Sequence, residues 1–279
     1  DVCSSDLKES VLENYVVMGS SHYENIQPIE SFAMRQLSKC RYKKTVAKSI
    51  NEKILDHYLD TKNINMAVEH YKRNHSDIYS RLESAGKLRN LYLIKGMPVP
   101  DFLRKDIMFL YSKARNKNKV PVSALDEVAS TQIEQLKRDV DQFKSIPLKF
   151  PENVYNATLQ QKFKLITDIT NKSISIIKIG SGEGVVGTYK LLIDAYESLA
   201  NQVNSFTPPG KDAAYIKSFK NGMRGVVNPI LQKVTQFKGE LKGEVNKNTI
   251  LVNDYGEYVR KSIGFIPFND WVIMDRRGK

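Results

Sequence analysis

Val186-Gly-Thr-Tyr-Lys190-Leu-Leu-Ile-Asp-Ala-Tyr-Glu-Ser-Leu-Ala200-Asn-Gln-Val-Asn-Ser-Phe-Thr-Pro-Pro-Gly210 is the stretch that decides the fold class. Its apolar residues fall at Val186, Tyr189, Ile193, Tyr196, Ala200 and Val203, in steps of three and four, the period of a helix with one buried face. It stops at Thr207-Pro-Pro-Gly210, where two residues lack amide donors and a third frees the backbone.

Outward from this stretch the same pattern recurs. Val46, Ile50, Ile54 and Tyr58 form one stripe, and Val68, Tyr71, Ile78 and Leu82 a second with a gap at His75. Ile107, Leu110 and Ala114 follow Pro98 and Pro100, and Leu136, Val140 and Phe143 follow Pro121. After Pro151 come Leu159, Phe163, Ile166, Ile169, Ser173 and Ile177, predicting a helix over 153–178. Tyr215, Phe219 and Met223 precede Pro229, which is expected to kink or break its helix, and Leu241, Val245, Val252 and Val259 lie beyond. Only Ile174–Ile179 and Trp271–Met274 read as short β-like runs. Helix after helix with short connectors predicts an all-α fold of stacked antiparallel helical pairs, an α-solenoid. No clean 34-residue self-similarity accompanies it, so any repeats are degenerate.

The chain has 279 residues, 41% hydrophobic and 27% charged, values that suit a folded protein and not a disordered one. No window approaches 18 consecutive apolar residues, so no membrane span is expected. Asp1-Val-Cys-Ser-Ser-Asp-Leu7 has no initiator Met and back-translates to a common sequencing adapter. Residues 1–7 are therefore read as an artefact, which leaves Cys40 as the single genuine cysteine and the natural N-terminus absent. The remaining chain divides into a basic helical region (8–120), a helical-repeat region (121–263) and a C-terminal tail (264–279).

The sharpest motif is Gly182-Glu-Gly184-Val-Val-Gly187, which satisfies G-x-G-x-x-G after a β-like run. A dinucleotide loop needs alternating strands and helices and an acid roughly 20 positions on, and residues 199–211 hold no acid. Kinase and Walker companions are also missing. The expected alternative is structural: Gly180 and Gly182 end one helix and turn, and the next begins near Gly184. Ser84–Lys87 and Ser175–Lys178 fit S-x-x-K without its partner motifs. His22, His57, His70 and His75 lack the spacing of a zinc helix. No catalytic residue, cofactor or metal ligand is therefore assigned, and Cys40, in step with Ile29, Ala33 and Leu37, reads as a core thiol.

The net charge of +12 is uneven. Residues 1–7 carry −2, residues 8–120 carry +9, residues 121–210 carry −1, and residues 211–279 carry +6. Lys39, Arg41, Lys43, Lys44, Arg104 and Lys105 lie in the densest basic stretches and are the candidate contacts for nucleic acid, lipid head groups or another anionic polymer. Phe265, Phe268 and Trp271 make the tail either a cap on the last helices or a partner anchor.

The order Tyr189–Ala200, Phe206-Thr-Pro-Pro-Gly210, Tyr215-x3-Phe219-x3-Met223 and Asn228-Pro229, with Ala124–Glu134 leading through Phe143 to Pro147, resembles the C-terminal region of tetratricopeptide-repeat proteins of predatory and gliding bacteria. The resemblance spans about residues 121–260 and lacks the fixed repeat consensus. It implies a non-enzymatic scaffold of the cell envelope, exported to the periplasm, that binds a protein partner. Two rivals remain at the level of sequence: a basic binder of anionic polymers or membrane surfaces, and a nucleotide-dependent enzyme using Gly182–Gly187.

Overall fold

The computed structural model describes residues 6–39, 44–73 and 77–248. Among these residues it contains ten α-helices, one turn of 3-10 helix at Lys117–Lys119, and no strand. The helices are α1 (Asp6–His22), α2 (Gln27–Lys39), α3 (Lys44–Asp60), α4 (Ile64–Arg73), α5 (Ile78–Ile94), α6 (Asp101–Lys113), α7 (Val122–Ser145), α8 (Glu152–Ile177), α9 (Gly182–Ser205) and α10 (Ala213–Asn248). The fold is all-α, built by helix-on-helix packing. It separates into two compact units, Asp1–Glu127 and Val128–Lys279, with the boundary inside α7.

In the first unit, α1, α3 and α5 pack in sequence, and α2, α4 and α6 lie against their neighbours in the chain. The core is drawn from every helix: Val16, Ala33, Ile54, Tyr58, Ala67, Leu82, Leu88 and Ile107 are all buried. Local chemistry fixes the ends. Asp77 accepts from the amides of Tyr79 (3.0 Å) and Ser80 (3.3 Å), capping α5. At the other end Met97 N donates to Tyr92 O and Gly96 takes φ +66°, the left-handed turn that releases the chain. The stripe expected to run from Val68 to Leu82 is two helices, because Asp77 starts a new one.

In the second unit, four long helices share one core. The buried side of α8 reads Tyr155, Leu159, Lys162, Ile166, Ile169, Ser173 and Ile176, alternating steps of four and three. That spacing suits nearly parallel or antiparallel helix packing with a shallow crossing. The expected Phe163 is instead 37% exposed, and Lys162 takes the core position one residue earlier. The β-like run at Ile174 is the last turn of α8, since continuous apolar residues do not distinguish a strand from a buried helix end. Pro229 neither ends nor splits α10. Pro229 and Gly225 are both exposed, so the Gly225 carbonyl deprived of its amide partner is open to water. Val252, Val259, Trp271–Met274 and the whole tail, including Phe265, Phe268 and Trp271, lie outside the described residues, as do Cys3, Cys40 and His75.

Candidate docking groove and buried polar clusters

Helix α1 is apolar on two sides. Leu12 and Val16 enter the core, whereas Val11, Tyr15 and Met18 follow the helical spacing on the outer side and are 61%, 45% and 63% exposed. Tyr23 and Phe32 extend this exposed surface onto the connector and α2, with the Tyr15 and Phe32 rings edge-to-face at 5.3 Å. Gly19 lets the two helices come close: a Cβ there would lie 2.2 Å from Ile29 Cδ1. The result is a groove of about 420 Å³ whose apolar lining includes Tyr15, Met18, Tyr23, Pro28 and Ile29. A contiguous apolar surface of this kind is uncommon unless something covers it.

Behind the groove lies a polar scaffold. His57 on α3 places Nδ1 3.0 Å from Ser20 O and Nε2 3.0 Å from Glu24 O, bracketing the end of α1 and its connector. A second cluster joins α2, α3 and α4. His70 Nδ1 is 2.8 Å from Glu30 Oε1, its Nε2 is 3.1 Å from Asn51 O, and the Tyr58 hydroxyl donates to Glu30 Oε2 at 2.5 Å. All three side chains are buried. Burial alone would raise the Glu30 carboxyl, but the hydrogen bonds from His70 and Tyr58 outweigh it and hold the carboxyl below its usual range. Burial, then the Glu30 hydrogen bond, pushes the Tyr58 hydroxyl upward. Two further carboxylates tie helices together in this unit. Glu127 is 2.7 Å from Arg89 and 3.3 Å from Arg104, and Asp106 receives Arg81 at 2.9 Å and the Tyr71 hydroxyl.

The basic residues singled out from sequence fall in different places. Lys44 opens α3 and is exposed, and Lys105 is exposed on α6. Arg104, one residue away, is engaged with Glu127. Lys113 lies over the Phe109 ring, and Lys117 lies over the Tyr111 ring and donates to its carbonyl. Neither Lys44, Arg104 nor Lys105 lines the apolar groove. Lys39 ends α2 with its side chain outside the described part, and Arg41 and Lys43 lie wholly outside it.

The glycine motif forms no open loop. Gly180, at φ +82°, turns the chain after α8, Ser181 caps the next helix by accepting from Gly184 N at 3.0 Å, and Gly182–Gly187 form the first turns of α9. Gly184 is pressed against α7, where a Cβ would sit 2.7 Å from Ala129 Cβ. The helix therefore starts two residues before the expected Gly184, and the glycine there serves close packing. Among the described residues no group of three or more His, Cys, Asp or Glu side chains is placed to hold a metal ion, and no helix is long and apolar enough to cross a membrane. Sequence reading missed the α1–α2 surface. Its signal was present in Val11, Leu12, Tyr15, Val16, Val17 and Met18, a helix segment with more apolar residues than one buried face needs. Comparison with family models, curated proteins and solved structures finds no match for the chain.

Proposed function

We propose that the chain is a non-catalytic interaction module that docks an amphipathic helix of a partner protein on the α1–α2 surface. The observation that carries this reading is the exposed row of Val11, Tyr15 and Met18 beside Tyr23 and Phe32, flanking a groove deep enough to take side chains. A helix partner suits the site because its i, i+3, i+4 and i+7 side chains can enter such a groove as a row. An anionic polymer does not suit it: the lining carries no lysine or arginine.

Repeat-like geometry supports the helical-repeat part of the proposal in the first unit. There the helices run 17, 13, 17, 10, 17 and 13 residues, with α1, α3 and α5 starting at residues 6, 44 and 78. Such spacing is close to the unit of a helical-hairpin repeat, in which each pair leaves an apolar face for the next helix to cover. The resemblance noted above falls instead on residues 121–260, where α10 alone runs 36 residues. A cell-envelope setting rests on that resemblance and belongs to the proposal.

The test is fluorescence anisotropy with a panel of neutral amphipathic helical peptides. Saturable binding that weakens about tenfold or more in the Tyr15→Ala/Met18→Ala double variant supports the reading, since buried aromatic anchors commonly contribute above 1 kcal/mol each. Binding indifferent to both substitutions overturns it. Concentration-dependent dimerisation in sedimentation velocity, abolished by the same substitutions, would replace the partner helix by a second copy.

A further inference from the structure

Helix α10 breaks two local rules on its outward side. Between Ala213 and Gly239 it holds no acidic residue, while Lys217, Lys220 and Arg224 stand at i, i+3 and i+7 on a single face. Lys238 and Lys242 return to the same side about four turns later. Like charges at these spacings work against a helix, where opposite ones would support it. Elsewhere the bases are met by carboxylates: Arg81 by Asp106, Arg89 by Glu127, Lys172 by Asp139, and Lys238 of α10 itself by Glu197 of α9. Lys217, Lys220, Arg224 and Lys242 are exposed and have no ion pair among the described residues. The two acids of α10 are turned elsewhere, since Glu240 accepts from the Tyr189 hydroxyl at 3.2 Å and Glu244 lies near the same hydroxyl.

The second broken rule concerns glycine. Gly225, Gly239 and Gly243 lie inside the helix, where glycine lowers stability, and a Cβ at any of them would meet nothing within 4 Å. No contact within the described chain offsets that loss. Between the bases the face carries Ser218, Asn221, Asn228 and Gln232, all exposed and each with a side-chain donor. Local rules broken without compensation inside a fold point to a function outside it.

The composition of the face selects its occupant. A partner helix or a lipid surface needs apolar side chains to bury, and Leu231 is the one large apolar residue exposed on α10. A two-fold contact is made by the same patch twice, so a second copy would set lysine against lysine. Single strands stack on free aromatic rings, whereas Phe219 and Phe237 pack against Tyr155 and Tyr196, and Tyr215 is held by Glu152. A phosphate backbone meets every feature present: it pairs with lysine and arginine, accepts from Ser, Asn and Gln, and comes close where side chains are absent. We propose that the outer face of α10 holds the phosphate backbone of double-stranded nucleic acid through Lys217, Lys220, Arg224 and Lys242, without reading base sequence. The face belongs to the second unit and does not depend on the α1–α2 docking surface.

The test is fluorescence anisotropy of the whole chain with DNA and RNA duplexes of about 20 base pairs, longer than the roughly 54 Å of α10. With four phosphates neutralised, affinity should fall about a hundredfold between about 50 and 200 mM salt and should not differ between unrelated sequences. Lys217→Glu/Arg224→Glu should weaken low-salt binding by about tenfold or more and flatten its salt dependence. Lys137→Glu/Lys164→Glu makes the same change of charge at exposed positions on α7 and α8, and should alter binding by less than about threefold. Gly225→Leu removes no charge and favours the helix, so it should raise the melting temperature yet weaken duplex binding by holding the phosphates off. No duplex binding at low salt, binding indifferent to salt, or equal weakening by the two charge-reversed pairs overturns the proposal. Binding to vesicles of phosphatidylserine in phosphatidylcholine, with none to either duplex, also overturns it and assigns the face to a membrane surface.

Discussion

Lys162 shows how a residue that looks misplaced in a core stripe can complete it. Its ammonium, with no solvent exposure, donates to the Phe143 carbonyl at 2.8 Å and lies over the Phe143 ring at 4.5 Å. That carbonyl belongs to the last turn of α7, where helical geometry supplies no amide partner. The neighbouring Lys144 carbonyl is served in the same way by Gln202 Nε2 at 3.0 Å. Burial nonetheless pushes Lys162 down to about 8. The unfolded chain then binds the proton more tightly than the folded one, so stability should rise between about pH 8 and 10.4 by up to about 3 kcal/mol. Chemical denaturation of wild type and Lys162→Met across that range should show the rise only in wild type.

Glu30 also makes stability rise with pH, but here the fold favours the charged form instead of penalising it. Its carboxyl is held low in the fold, so its contribution is present above the ordinary carboxylate value and disappears as pH falls through the lowered one. Glu30→Gln leaves His70 and Tyr58 without their charged partner and should cost about 3 kcal/mol at pH 7, measured by urea unfolding. Lys62 gives a prediction of opposite direction. It occupies φ +55° at the end of α3, where Asn63 N donates to Tyr58 O. Relieving that left-handed strain with Lys62→Gly should stabilise by roughly 0.5–1 kcal/mol.

At the scale of elements, the glycines separate into two groups by what surrounds them. Gly86 on α5 faces the start of α7, where an added Cβ would fall 2.9 Å from Ser123 Cβ and 3.2 Å from Ala124 N, and Gly184 meets Ala129. Alanine at either position should cost roughly 1–3 kcal/mol through forced displacement of the facing helix. Gly239 and Gly243 on α10 meet nothing within 4 Å, so alanine there should add about 0.5–1 kcal/mol each by lowering the entropy lost on folding. Thermal melts of the four single variants should therefore divide by sign. This division explains what could be read in advance. Helix identity followed from period, and Asp77, Ser181 and the Pro208–Gly210 break follow rules of local chemistry. Whether Gly184 was a turn or a contact depended on a residue 55 positions upstream, Ala129, which no local pattern reveals. The same applies to Lys162, whose partner carbonyl is 19 residues away.

On the scale of the whole molecule, the all-α class was legible because both units obey one helical period, while the functional surface was not. Composition directed attention to positive charge, yet Arg104 is bound to a carboxylate and the exposed apolar row sits on α1 and α2. An amphipathic stripe announces its buried side; a second exposed side is visible only once the helices are packed. The net charge of +12 still bears on the outcome. Docking in an apolar groove should vary little between about 50 and 200 mM salt, whereas neutralising several phosphates would weaken binding by orders of magnitude over that range. The most direct measurement is backbone hydrogen exchange of the chain with and without the tightest-binding amphipathic peptide. The account predicts added protection concentrated in residues 11–32. Unchanged exchange there, or protection by ATP confined to residues 182–187, would contradict it.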